Sequence, residues 1–170
     1  LGLKTDLLDG RMRLNGAAFF YTYDNLQYQA TDPEVFQGGV GNIPESEIMG
    51  AELELGAFLS DSLIFDARLA WLDTEITASH LALDNVASEA ATNALLAQGV
   101  NLFSPEVEIA RAAQIADVQG NELAKTPGFT AILALTYSHS MASWSDVEGT
   151  LSYTHRGDFP HRIFNNPLTD

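Results

Sequence analysis

The chain contains no cysteine, which removes disulfide frameworks, thiolate chemistry and Cys-ligated zinc. Basic residues are scarce: 8 Lys and Arg against 23 Asp and Glu, for a net charge of −15 over 170 residues. A nucleic-acid partner needs a basic face, and this composition excludes one. No apolar run approaches the length of a membrane-spanning helix, and no charged segment followed by an apolar one marks a leader peptide at Leu1. Low-complexity tracts are missing too, and 46% of the residues are hydrophobic, so a disordered chain is also excluded. Catalytic signatures are lacking. There is no G-x-S-x-G, Walker A or G-x-G-x-x-G pattern, and Gly38-Gly39-Val40-Gly41 has neither the lysine nor a following helix. The four histidines (His80, His139, His155 and His161) show no H-x-x-x-H or H-E-x-x-H spacing, so no metal or other cofactor is expected, and no enzymatic activity.

What is present is alternation. Six stretches carry the period-2 pattern of strands: Leu1–Leu7, Arg11–Tyr28, Glu47–Phe58, Leu63–Ile76, Phe129–Ser138 and Asp146–Arg156. In the second, Met12, Leu14, Gly16, Ala18, Phe20 and Thr22 share one face, and Arg11, Arg13, Asn15, Ala17, Phe19, Tyr21 and Tyr23 share the other. The third sets Met49, Ala51, Leu53, Leu55 and Ala57 against Gly50, Glu52, Glu54 and Gly56. Leu63, Phe65, Ala67, Leu69 and Trp71 oppose Ile64, Asp66, Arg68, Ala70 and Leu72 in the fourth. The last two strands repeat the division, and the middle of the apolar face carries no charge.

The connections alternate in kind. Asp9-Gly10 is a two-residue hairpin signal; it pairs Leu7 with Met12 and sets Asp6 opposite Arg13. A Gly-rich loop is expected over 29–45, a short turn at Ser60–Ser62, a long connection over Thr77–Gly128, and another short turn at Ser140–Ser145. The Ser60–Ser62 turn places Glu54 opposite Arg68, which favours a polar lumen over a glycosidase-like carboxylate pair at Glu52 and Glu54. Short turns thus fall at one end of an up-and-down antiparallel sheet and long loops at the other. Within the long connection only Ala87–Gln98 looks helical, with an apolar stripe at Ala91, Leu95 and Leu96. That patch is too small to cover a six-stranded apolar face, which needs a second layer or lipid. Aromatics end that face, with Phe20, Trp71, Phe129 and Tyr153 toward the long loops and Tyr137 and Trp144 toward the short turns. Such girdles, short periplasmic turns and long extracellular loops characterise outer-membrane barrels.

Several segments resemble the TonB-dependent outer-membrane receptors. GLKTDLLDGRMRLNGAAFFYTYDNLQ (Gly2–Gln27) is similar to a family hairpin with its D-G-R turn and aromatic return strand. ESEIMGAELELGAFLSDSLIF resembles the hairpin that follows, with a Gly-x-Glu-x-Glu core at Gly50, Glu52 and Glu54. WLDTEI, ELAKTPGFTAILALTY and SYTHRGDFPHRIFN fit later segments in the same order. The resemblance implies an all-β transmembrane barrel segment, about six strands of a plugged 22-stranded barrel. Residues 1–170 would be part of the barrel domain, with 77–128 an extracellular loop. The plug domain, the TonB box and the closing C-terminal strand would lie outside these residues. The implied location is the bacterial outer membrane. The implied partners are its lipid and lipopolysaccharide, the TonB energy-coupling complex and a small-molecule substrate: siderophore–iron, cobalamin or a carbohydrate. A passive porin-like or adhesin barrel and a soluble β-sandwich module are the competing readings. Asp73, Glu75, Arg156 and Arg162, where strands meet long loops, are the candidate ligand contacts. Phe19, Tyr21, Tyr23, Glu52, Glu54 and Arg68 are expected to face the lumen and the plug.

Overall fold

The computed structural model describes residues 1–31, 38–141 and 145–166. Its main sheet has six antiparallel strands in the order β1 (Gly2–Leu7), β2 (Met12–Thr31), β3 (Gly38–Ser60), β4 (Leu63–Ile76), β7 (Phe129–Met141) and β8 (Ser145–Arg156). Between β4 and β7 the chain makes one excursion. It contains β5 (Leu81–Leu83), helix α1 (Asn85–Ala97), helix α2 (Pro105–Ala112) and β6 (Ile115–Asp117), with β5 and β6 paired as a small second sheet. Successive strands of the main sheet are neighbours, so the topology is the expected up-and-down one.

The register bears out the facial assignment. β1 and β2 pair Leu3 with Gly16, Thr5 with Leu14, Asp6 with Arg13 and Leu7 with Met12, and Arg13 Nε donates to Asp6 Oδ1 at 2.9 Å. Their turn is longer than two residues. Leu8, Asp9 and Gly10 all have positive φ, and Gly10 N–H and Arg11 N–H donate to the carbonyls of Leu7 and Leu8. β4 meets β7 with Leu63 opposite Tyr137, Phe65 opposite Leu135, Ala67 opposite Leu133 and Trp71 opposite Phe129. β7 meets β8 with Leu133 opposite Tyr153 and Leu135 opposite Leu151, while Thr136 and Thr150 on the polar face join hydroxyls at 2.9 Å.

The expected Gly-rich loop over 29–45 is largely strand. β2 runs on to Thr31 and β3 begins at Gly38; the connection 32–37 lies outside the described residues. Two irregularities allow these long strands. Asn25 has φ of 56° in mid-strand, a bulge conformation that asparagine tolerates. Even-numbered residues before it lie on the apolar face, whereas Leu26 and Tyr28 after it pack on a core. In β3 the buried positions slip from Ile43 to Ser46 across Pro44, which cannot donate to a ladder.

The chain divides into two compact units: 1–21, 49–73 and 127–159 in the first, and 22–48, 74–126 and 160–170 in the second. The first is a bare sheet. Its buried apolar residues, among those described, are the alanines Ala67 and Ala131, while Phe20, Leu53, Trp71, Phe129, Leu135, Tyr137, Leu151 and Tyr153 are all exposed. Aromatic rings do gather at the two ends of that face. His155 lies 6.0 Å from Phe129, the register partner of Trp71, and His139 stacks on Tyr137 at 6.3 Å. Trp144 lies outside the described residues. The second unit has a conventional core of Ile43, Ile76, Ala82, Val118, Leu123 and Ile163, with Leu26, Tyr28, Ile48 and Phe164 against it.

Candidate functional site

In the first unit the candidate surface is the polar face of the sheet. Phe19 lies over Gly50, where an added Cβ would stand 2.4 Å from its Cζ and 2.9 Å from the Trp71 carbonyl oxygen. The glycine of the Gly-x-Glu-x-Glu core is therefore the seat of an aromatic ring, a device that covers exposed strand backbone. Tyr21 stacks on Phe19 at 5.7 Å; Tyr21 and Tyr23 stay exposed at 43% and 48%. Toward the short turns the same face forms a basin of about 480 Å³, lined among others by Asp6, Arg11, Arg13, Asn15, Glu54 and Arg68. Arg11 faces Asp61 at 3.9 Å, Arg13 binds Asp6, and Asn15 Nδ2 donates to Glu54 Oε2 at 3.3 Å. The anticipated Glu54–Arg68 ion pair does not form: both side chains line the basin, but Glu54 is held by Asn15. Glu52 is exposed. Arg156, opposite Thr130, places its guanidinium 5.5 Å from the centre of the Phe159 ring.

Asp73 and Glu75 alternate along β4 with the buried Thr74 and Ile76. By strand periodicity they share the face of Trp71, not the polar face where a lumen ligand would lie.

In the second unit the long connection is a folded structure. Asp84 caps α1, accepting from the N–H groups of Val86 and Ala87 at 3.1 Å. The helix closes on Gly99, φ 85°, with the N–H groups of Gly99 and Val100 donating to Leu96 and Leu95. Helix α2 starts at Ser104-Pro105, carries Glu106 and Glu108 in its first turn and Arg111 in its last, and buries Val107. Asp117 accepts from Ser79 Oγ at 2.6 Å and from the N–H groups of His80 and Gln119. These bonds, the Ser79 hydroxyl foremost, hold its carboxyl below the usual range. Tyr28 Oη and His80 Nε2 are hydrogen-bonded at 2.8 Å.

Arg162 is engaged inside this unit. Its Nη1 meets Asp84 Oδ1 at 2.6 Å, with the two side chains 21% and 9% exposed, and the guanidinium stands over Phe164. Burial pushes the Asp84 carboxyl up, but the hydrogen bond from Arg162, the two cap N–H groups and the Arg162 charge outweigh it, so its pKa is lowered. The segment around Arg162 is tied to the base of the connection: Lys125 N–H donates to the Pro160 carbonyl at 2.7 Å, Asn121 Nδ2 to Ile163 at 2.8 Å, and Glu122 N–H to Asn165 Oδ1 at 2.6 Å. The sequence reading anticipated α1 within two residues at its start but missed α2. Its signal is Ser104-Pro105 followed by Glu106, Glu108 and a final Arg111, a helix start with matched dipole charges. Among the described residues, no three His, Asp or Glu side chains converge to hold a metal.

The family model for the TonB dependent receptor-like β-barrel matches residues 1–167. The chain belongs to the TonB-dependent receptor family. No curated protein matches it. Among solved structures, the siderophore receptor PiuA from Acinetobacter baumannii is similar over 80% of this chain and 15% of that one, with 23% identity and a TM-score of 0.49. The chain thus spans only a small part of that receptor's length. Family membership accounts for the bare sheet, because an apolar strand face that no second layer covers belongs in a barrel wall.

Proposed function

We propose that this chain is a wall segment and extracellular loop of an outer-membrane receptor that takes up a scarce nutrient with energy from the TonB system. The family match over residues 1–167 carries the reading, and the uncovered apolar face supports the location. The apolar face meets outer-membrane lipid. The polar face, with Tyr21, Tyr23, Glu52 and the Glu54–Arg68 basin, faces the lumen and the plug, and Arg156 contacts the entering substrate. Asp73 and Glu75, on the Trp71 side of β4, stand at the level of lipopolysaccharide headgroups, while Arg162 anchors the loop. Siderophore–iron, cobalamin and carbohydrate are the candidate substrates. The test is uptake by cells expressing the full-length receptor, with and without the coupling protein. Uptake that stops when the coupling protein is deleted supports active transport. Uptake indifferent to it identifies a passive porin-like barrel and ends the proposal.

A further inference from the structure

Residues 160–166 follow β8, yet they are built into the connection between β4 and β7, from which the β7–β8 hairpin separates them in sequence. They grip both legs of that connection. On the outgoing leg, Arg162 Nη1 lies 2.6 Å from Asp84 Oδ1 and 3.5 Å from Asn85 Oδ1, and the same Asp84 oxygen caps α1. On the returning leg, the Pro160 carbonyl accepts from Lys125 N–H at 2.7 Å, and the Ile163 carbonyl from Asn121 Nδ2 at 2.8 Å. Asn165 stands in for a strand neighbour. Its Oδ1 accepts from Glu122 N–H at 2.6 Å and its Nδ2 donates to the Glu122 carbonyl at 3.1 Å, with φ held at 48°. Between these polar ties Ile163 enters the core beside Ile76, Ala82, Val118 and Leu123.

We infer that residues 160–166 are a strap that couples the segment after β8 to α1 and the β5–β6 pair, so that the two order and release together. Three features carry it. First, the strap bridges parts that are weak alone. Strands of three residues and helices of 13 and 8 residues are marginal in isolation, and a long connection orders only when its legs are tied. Second, the ties resist partial opening. Separating Arg162 from Asp84 leaves charges in half-buried surroundings without a counter-ion, and withdrawing Ile163 opens a void in the core. The strap is therefore either seated or released, with little between. Third, β8 is closed off ahead of it: Gly157 N–H donates to the Phe129 carbonyl at 2.8 Å, which lets the strap leave without unzipping the β7–β8 ladder. Coupling of this kind is reciprocal. Whatever displaces the segment after β8 loosens α1, and whatever loosens α1 loosens the strap. The inference concerns the folded unit alone and does not rest on the transport reading.

The experiment is hydrogen exchange of the full-length receptor at neutral pH. Arg162→Met removes the ion pair, and Asn165→Gly removes both bonds to Glu122 while keeping a residue that accepts positive φ. Exchange of the α1 amides should rise by about tenfold or more in Arg162→Met and by about threefold or more in Asn165→Gly, the milder variant serving if the first does not assemble. The β7 and β8 amides should keep their protection in both. In the reverse direction, Val107→Ala in α2 should speed exchange of the Lys125 amide, which the Pro160 carbonyl holds, by the same factor as the α1 amides. Unchanged α1 exchange in Asn165→Gly overturns the inference, because the strap is then a passive appendage. So does loss of β7 and β8 protection alongside α1, which makes residues 160–166 a general stabiliser, and so does a Lys125 amide indifferent to Val107→Ala.

Discussion

At the scale of single residues, the glycines and one carboxylate have the sharpest consequences. Gly50→Ala places a methyl against the Phe19 ring and the Trp71 carbonyl, one neighbour being backbone that cannot rotate away. Overpacking of this kind costs about 1–3 kcal/mol, whereas Gly149→Ala, with nothing within 4 Å of the new Cβ, should stay within about 0.5 kcal/mol. Urea unfolding of the full-length barrel checks the contrast. Asp84 joins a helix cap to a partly buried ion pair. Asp84→Ala should cost about 1 kcal/mol for the cap alone, and more because the Arg162 ion pair is lost with it, read as faster exchange of the α1 amides. Its pH dependence has a definite sign. The folded-state pKa is lowered from 3.8, so its stabilisation is present in full above that value and is lost as the pH falls through the lowered one. Protection of α1 in the full-length receptor should therefore hold at pH 6 and decline below about pH 4, less steeply in Asp84→Ala; Asp117, shifted the same way, adds to the decline. A decline between pH 6 and 5 would assign the dependence to other groups. Arg162 shows the limit of reading residues singly: its exposed-looking position in the sequence says nothing of a carboxylate 78 residues away.

At the scale of elements, strand faces were legible and loop interiors were not. Period-2 alternation depends only on neighbouring residues, and a register slip by one would have exposed its error across every pair. The matched apolar pairs of β4, β7 and β8 show that no slip occurred. Leu133→Arg should destabilise the complete barrel by about 2–4 kcal/mol, the cost of a guanidinium at the bilayer midplane, while Thr136→Arg on the polar face should cost much less. Equal tolerance in folding titrations from lipid vesicles would reverse the assignment of faces. The strand ends were harder. Pro44 falls within the expected loop and Asn25 within an expected strand, yet here each permits a strand to continue with its faces exchanged, because a bulge absorbs one residue without ending the ladder. The helices were half legible: the Ala- and Leu-rich α1 announces itself by propensity, but both helices are too short to be stable alone. They persist because they pack on each other, with Val107 of α2 buried.

At the scale of the whole molecule, one unit is a sheet whose buried apolar residues, among those described, are two alanines, and the other has a full apolar core; the first fits a barrel wall in lipid. Cysteine introduced at Asn85 or Gly99 should react with a membrane-impermeant reagent on intact cells, and cysteine at Asp9 should not. Equal labelling at the two ends would contradict the outer-membrane orientation. The competing readings separate here: a soluble sandwich would cover its apolar face with a second sheet, and among the described residues the second sheet consists of two three-residue strands.

By itself the sequence determined the order of the six long strands and the face of each side chain in their central stretches, because these follow from local periodicity. The tertiary structure decided the partners. It turned Glu54 to Asn15 and Arg162 to Asp84, and seated Phe19 on Gly50. Each of these contacts joins residues far apart in the chain, and no local pattern specifies a distance that only folding closes.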